Sequence, residues 1–251
     1  MRLSARLFTA VLPFFFAHGV AMADQAQVAV AANFTEPIKA IAAILEKTTG
    51  HTIKVSMGAT GALYTQIKNG APFDVFLAAD TARPARLEAE GDAVAGSRFT
   101  YATGQLVLWS LQRGRVDNQG NVLRAADLGK VAHANPKTAP YGAAALQVMD
   151  HLGLVDALTA HRVQGESIGQ TFGFAQSGNA DVGFVAMSQV LSGGKLKEGS
   201  MWVIPQAFYS PIRQDAVLLK RGEANAAAKA LLTLLKSAEI KELIRSYGYS
   251  T

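Results

Sequence analysis

Three times in its first third, this chain ends a short apolar strand on small residues and runs directly into an amphipathic helix. "QVAVAA" leads to "TEPIKAIAAILEKTTG", "HTIKVS" to the helix inside "MGATGALYTQIKNG", and "FDVFLAA" to "TARPARLEAEG". Strand–helix alternation at this spacing fits a parallel sheet covered by helices on both faces, because each crossover lays its helix against the sheet. Thr35 is the expected N-cap of the first helix, with Pro37 in its first turn and Gly50 past its end. After "FTYATGQLVLWS", read as a strand run passing between lobes, the plan repeats. "KVAHAN", "PYGAAALQVMDHLG", "RVQGES", "IGQTFGFAQSG" and "ADVGFVAM" form a second set, and "MWVIPQAFYSPIRQDAVLLK" is placed to return the chain to the first lobe. Two closing helices follow. The predicted fold is α/β, two lobes, each a mostly parallel sheet flanked by helices. The expected divisions are a signal peptide over 1–23, lobe 1 over 24–103 plus about 210–251, and lobe 2 over about 104–209.

The leader reading rests on "MRLSARLFTAVLPFFFAHGVAMA": Arg2 and Arg6, an apolar run too short for a membrane span, then small residues at Ala23. It predicts export with cleavage after about Ala23. The leader takes two of the 24 basic residues with it, against 19 acidic ones, so the exported chain is less basic than its formal net charge of +5 suggests. The cations are scattered, which leaves no footprint for nucleic acid. The chain has no cysteine, and that excludes disulfides, thiolate metal sites and cysteine nucleophiles together.

In open α/β sheets, ligands sit where strand ends feed helix N-termini. Four such junctions are visible here: "AANFTEPI" with Ala32 and Asn33, "MGATGAL" with Thr60, "NPKTAPYGAAAL" with Tyr141, and "GESIGQTF" with Ile168. Two fall in each lobe. First-turn amides have no carbonyl partner within their own helix, and the helix dipole favours negative charge there by about 0.3–1 kcal/mol when exposed. Facing lobes would gather backbone N–H groups, the Asn33 amide and the Thr60 hydroxyl around a compact oxyanion, with no cationic side chain. Each junction also has a plainer reading. Asn33 and Thr60 suit helix caps, Tyr141 a packed aromatic, and Ile168 a core residue; "MGATG" suits a tight strand-to-helix turn.

Enzymatic readings lack their motifs. His18, His51, His133, His151 and His161 show no HxxxH or HExxH spacing, there is no G-x-S-x-G, and Gly193-Gly194-Lys195 lacks the Ser or Thr of a phosphate loop. Glu166 and Asp181 lie near the proposed cleft strands, where salt bridges or caps account for them.

The ordered set "VAANF", "GATGALYTQIKNGAPFDVFLAAD", "GSRFTYATGQLVLWS", "NPKTAPYGAAALQVMDHLGL", "SIGQTF" and "ADVGFVA" resembles the periplasmic molybdate-binding proteins of ABC transporters. The likeness covers nearly all of the exported chain. It implies a hinged, type II two-lobe binding protein that closes on molybdate or tungstate through neutral donors on Ala32, Asn33, Thr60, Tyr141 and Ile168. It further implies a monomeric, non-enzymatic periplasmic protein without a cofactor, in which molybdenum enters only as the oxyanion and no protein atom bonds the metal. Its partners would be a membrane permease and that permease's cytoplasmic ATPase, with no nucleic acid. Sulfate, held by similar donors, is the competing ligand. Two departures stand out. Asn33 replaces the serine many members carry in the first loop, and Ala186 stands where some have a tyrosine hydroxyl, with Ser188 as a substitute donor.

Overall fold

The computed structural model describes residues 23–251, and the expected leader lies outside them except for Ala23. The first lobe is laid down by β1 (Gln25–Ala31), α1 (Thr35–Thr49), β2 (Thr52–Gly58), α2 (Thr60–Lys68), β3 (Val75–Leu77), α3 (Ala82–Ala89) and β4 (Phe99–Gly104). A single residue, Gln105, separates β4 from β5 (Leu106–Ser110), the first strand of the second lobe. That lobe continues through β6 (Val131–Ala134), α4 (Pro140–His151), β7 (Arg162–Gly165), α5 (Ile168–Gln176), β8 (Val182–Ala186) and the short α6 (Met187–Val190). A small hairpin, β9 (Leu191–Ser192) and β10 (Lys195–Leu196), precedes β11 (Ser200–Val203). The chain then returns to the first lobe as β12 (Ile212–Leu218), followed by α7 (Ala226–Leu235) and α8 (Ala238–Ser246).

Each lobe holds a five-stranded sheet, in the orders β2-β1-β3-β12-β4 and β11-β5-β8-β6-β7. Both sheets are mixed. β1 runs parallel to β2 and β3, and β6 parallel to β7 and β8, as the alternation requires. The strands at the crossovers pair antiparallel: β12 with β3 and β4, and β5 with β8 and β11. The physical reason is connectivity. A strand entering from the other lobe has no crossover helix to reverse it, so it runs against its neighbours.

Cores form on both faces of each sheet. Val28, Val30, Ile38, Ile41, Leu231 and Ile244 pack between the first sheet and α1, α7 and α8, while Leu63, Phe76 and Leu87 fill the opposite face under α2 and α3. In the second lobe the core beneath α4 is continuous with Ala32, Ala59 and Ala139 at the junction of the lobes. The end of α1 follows the expectation, with Gly50 left-handed at φ 75° donating to the Glu46 carbonyl. Its start does not. Ala32–Phe34 form a 3₁₀ turn, Thr35 is the first α-helical residue, and its hydroxyl donates back to the Ala32 carbonyl instead of capping.

Two glycines set how closely the cleft elements approach. A Cβ on Gly142, in the first turn of α4, would lie 2.2 Å from the Ala134 carbonyl oxygen. A Cβ on Gly104 would lie 2.0 Å from the Tyr141 hydroxyl. Gly142→Ala is therefore expected to cost about 1–3 kcal/mol, the usual penalty of an overpacked interior, as read by the urea midpoint of unfolding. A midpoint unchanged from the parent would show that α4 has room to move.

Candidate functional site

Five residues singled out by pattern, Ala32, Asn33, Thr60, Tyr141 and Ile168, line one cavity between the two sheets. Its remaining wall comes from Ala31, Gly58, Ala59, Ala79, Ala139 and Pro140. Among the described residues, none with an ionised side chain lines it. Pockets for drug-sized organic ligands span roughly 300–1,000 Å³, and this closed space is far smaller.

The donors are set by helix starts that nothing caps. Ala31 precedes the 3₁₀ turn, Ala59 precedes α2 and Ala139 precedes α4, and none of them offers a side-chain acceptor. The closing helices α7 and α8 are capped, with Asn225 accepting from the Ala228 amide and Ser237 from the Ile240 amide. At the fourth start, Ser167 caps α5 through the Gln170 amide and leaves Ile168 alone. Among the described residues, none accepts from the backbone N–H of Asn33, Thr60, Tyr141 or Ile168. Four uncommitted buried amides around one cavity are unusual, since an unpaired buried amide costs about 1–3 kcal/mol.

Thr60 adds a fifth donor. Its hydroxyl oxygen accepts from the Ala79 amide at 3.0 Å, which leaves the hydroxyl proton to point elsewhere. Gly61, beside it, serves the other lobe. Its amide donates to the Thr138 carbonyl at 2.8 Å, and a Cβ there would sit 3.0 Å from the Thr138 Cα. The glycine in "MGATG" thus permits close approach of lobe to lobe.

Asn33 departs from the sequence expectation. Its side-chain nitrogen donates to Gln214 Oε1 at 2.8 Å and to the Tyr249 hydroxyl at 3.0 Å, so both of its protons are engaged. Its Oδ1 is buried without a partner. Ser188 does not replace a donor at Ala186, because it lies outside this cavity's wall and its hydroxyl donates to the Asn33 carbonyl at 2.8 Å across the lobes. The pattern reading did not select Gln214, Tyr249 or Tyr101. Nothing in "IRQDAVLL" marks Gln214, which stands between Arg213 and Asp215; it is fully buried and donates to the Tyr141 hydroxyl at 3.2 Å. Burial pushes the Tyr101, Tyr141 and Tyr249 hydroxyls well above the ordinary tyrosine range, so all three stay protonated at neutral pH.

A larger groove next to the cavity is lined by Glu36, Trp109, Phe172, Gln189 and Glu198 among others. Its wall carries charge of both signs, Glu36 and Glu198 with Lys197, unlike the neutral cavity. Glu166 and Asp181 serve structure: Glu166 accepts from Asn135 at 3.4 Å, and Asp181 holds Arg115. Among the described residues, no three of His, Asp and Glu gather as metal ligands would.

A small, neutral, donor-lined cavity between two α/β lobes is the arrangement of a capture protein. The family model described as "Bacterial extracellular solute-binding protein" matches residues 26–250. The chain belongs to that family. It is 56% identical over 229 residues to the molybdate-binding protein ModA of Azotobacter vinelandii, covering 91% of each chain. With the protein of the same name from Rhodobacter capsulatus it shares 55% over 231 residues, covering 92% of this chain and 90% of that one. The solved structure of the Azotobacter vinelandii periplasmic molybdate-binding protein superposes with a TM-score of 0.87 at 42% identity, over 90% of this chain and 99% of that one. This is a solute-binding protein with the type II two-lobe fold.

Thr60 has two jobs that substitution separates from its bulk. Thr60→Val keeps the shape but strands the Ala79 amide, and is expected to lower unfolding stability by about 1–3 kcal/mol, whereas Thr60→Ser keeps the bond. Chemical denaturation of both variants checks this. Equal loss in the two would move the effect from the hydroxyl to the methyl group.

Proposed function

We infer that this solute-binding protein captures molybdate or tungstate after export to the periplasm, between lobe 1 (24–103 with about 210–251) and lobe 2 (about 104–209). Cleavage of the leader after about Ala23 releases it. It acts as a monomer, hydrolyses nothing, uses no cofactor, and delivers the ion to an ABC permease driven by a cytoplasmic ATPase. The reading is carried by one observation, the gathering of four uncommitted amides in a neutral cavity, in a chain more than half identical to two molybdate-binding proteins.

The chemistry follows from the donor set. A tetrahedral dianion carries acceptors on every corner, and the amides of Asn33, Thr60, Tyr141 and Ile168, with the Thr60 hydroxyl and the wall at Ala32, meet it from both lobes. Neutral donors suit this work. An ion pair shut between the lobes would require a cation to leave water as well as the anion, and that desolvation cost reaches several kcal/mol per ion. The helix starts supply partial positive charge instead, fixed in place before the ion arrives. Both lobes supply donors, Asn33 and Thr60 from the first and Tyr141 and Ile168 from the second, so the ion completes its shell only when the lobes meet. Binding and closure are therefore one step, and the closed shape is what a permease would read.

Size discriminates among tetrahedral dianions. Molybdenum–oxygen and tungsten–oxygen bonds are longer than sulfur–oxygen bonds, so donors spaced for the larger ions leave sulfate short of some of them. Each buried donor left unmade costs about 1–3 kcal/mol. Isothermal titration is expected to give tight, one-to-one binding of molybdate and tungstate, with sulfate and phosphate at least tenfold weaker. Sulfate binding as tight as molybdate would overturn the ligand while leaving the fold untouched.

A further inference from the structure

Beneath the cavity lies a closed set of neutral polar side chains drawn from both lobes. Gln214 Oε1 accepts from Asn33 Nδ2 at 2.8 Å and from the Tyr101 hydroxyl at 3.1 Å, and Gln214 Nε2 donates to the Tyr141 hydroxyl at 3.2 Å. The Tyr249 hydroxyl accepts from Asn33 Nδ2 and lies 2.8 Å from the Asn33 carbonyl and 3.0 Å from Ser188 Oγ. In this polarity the set is unbalanced. Asn33 Oδ1 has no partner, and the single Tyr101 proton faces two acceptors, Gln214 Oε1 and the Ala78 carbonyl.

At the same distances, turning both amides over pairs Asn33 Oδ1 and leaves the Tyr101 proton one acceptor, while the two Asn33 Nδ2 protons are left without an acceptor inside the protein. Gln214 Nε2 then donates to Asn33 Oδ1 and to the Tyr101 hydroxyl, which in turn donates to Ala78. Gln214 Oε1 accepts from Tyr141. The Tyr249 proton is then shared between Asn33 Oδ1 and the Asn33 carbonyl, which Ser188 also serves. Asn33 Nδ2, with both protons, now occupies the position that the lone Oδ1 held. A carboxamide carries two donors on one branch and two lone pairs on the other, so the turn exchanges an acceptor for donors without moving the chain.

We propose that Gln214, with Tyr101, Tyr141 and Tyr249, forms a reversible hydrogen-bond relay that turns the Asn33 side chain and presents its Nδ2 protons to the bound oxyanion. This rests on the oxyanion reading above and deepens it: Gln214 is a positioning residue that acts through Asn33. The tyrosines are suited to the task because burial keeps them protonated, and each hydroxyl both donates and accepts. The strand register slips between Gln214 and Asp215, a bulge that re-aims side chains, and Gly104 leaves room, since a Cβ there would meet Gln214 Nε2 at 2.6 Å. The relay also spans the cleft, so the polarity of Asn33 is tied to Tyr141 of the other lobe.

The test uses the exported protein and sodium molybdate in titration calorimetry at pH 8 and pH 6. Gln214→Glu keeps the shape, but an ionised carboxylate only accepts and so locks Asn33 with Oδ1 toward the ion; a protonated carboxyl donates to Oδ1 and restores the relay. Burial raises that carboxyl's pKa toward this window. Tyr101, Tyr141 and Tyr249 face it, and the charges acting on them are Asp215, held by Arg98 and Thr100, and Asp80, held by Arg83. Expected are a parent affinity that is flat between the two pH values, and a Gln214→Glu affinity about tenfold weaker at pH 8 that recovers at pH 6. Parent-like affinity at both values, or equal weakness at both, overturns the relay. Gln214→Met gives a second arm: Asn33→Ala should cost less on that background than in the parent, and additive losses overturn the coupling. A parent that does not bind molybdate at all fails earlier and removes the oxyanion reading along with the relay.

Discussion

A buried amide without an acceptor is a standing cost, and this fold keeps four of them around a single space. The cost is possible only because everything around it is firmly packed. Apolar cores hold both faces of each sheet, and the helix starts are fixed by the strands that feed them. Ala31, Ala59 and Ala139 stand where a serine or aspartate would ordinarily cap a helix, at a typical penalty of about 1 kcal/mol apiece. The same chain uses Asn225 and Ser237 in that role elsewhere. At the cleft the missing caps leave the helix ends open to a guest instead of closed by a side chain.

Charge is excluded from the cavity but not from its surroundings. Arg83, bound to Asp80, also reaches the Lys137 carbonyl of the other lobe at 3.0 Å, and Glu36 and Glu198 border the neighbouring groove. These groups sit at partly exposed edges where water screens them, so they contribute modestly to stability. Their arrangement leaves the centre to neutral donors. The interlobe bonds nearest the cavity are of the same kind: Gly61 to Thr138, Ser188 to Asn33 and Gln214 to Tyr141 are uncharged, and each is remade or broken without stranding an ion in a dry interior.

Much of this was legible in the sequence, and the unread part has physical causes. Strand–helix alternation revealed the two lobes, and the junctions at Asn33, Thr60, Tyr141 and Ile168 were visible because small residues between a strand and a helix mark a ligand-bearing loop. The antiparallel strands were harder. Nothing in "QLVLWS" or "IRQDAVLL" states direction, which is decided by where the crossing chain enters the sheet. The Thr35 cap failed because a 3₁₀ turn intervened and moved the helix start past Phe34. The polar set beneath the cavity was hidden for another reason. Asn33, Tyr101, Tyr141, Ser188, Gln214 and Tyr249 are scattered along nearly the whole described chain, and only the folded topology joins them. The absence of capping residues at three helix starts was readable in principle, since alanine before a helix is a conspicuous choice.

The position of β12 carries a consequence for how the molecule comes into being. It lies inside the first sheet, between β3 and β4, yet it is among the last strands in the chain. Until residues from Ile212 onward are available, β3 and β4 have no neighbour to join them, and Tyr249 cannot reach Asn33. β2, β1 and β3 pair among themselves, but β4 is joined to them only through the returning strand. Completion of that sheet waits for the final segment, so the ion site and the finished polypeptide arrive together.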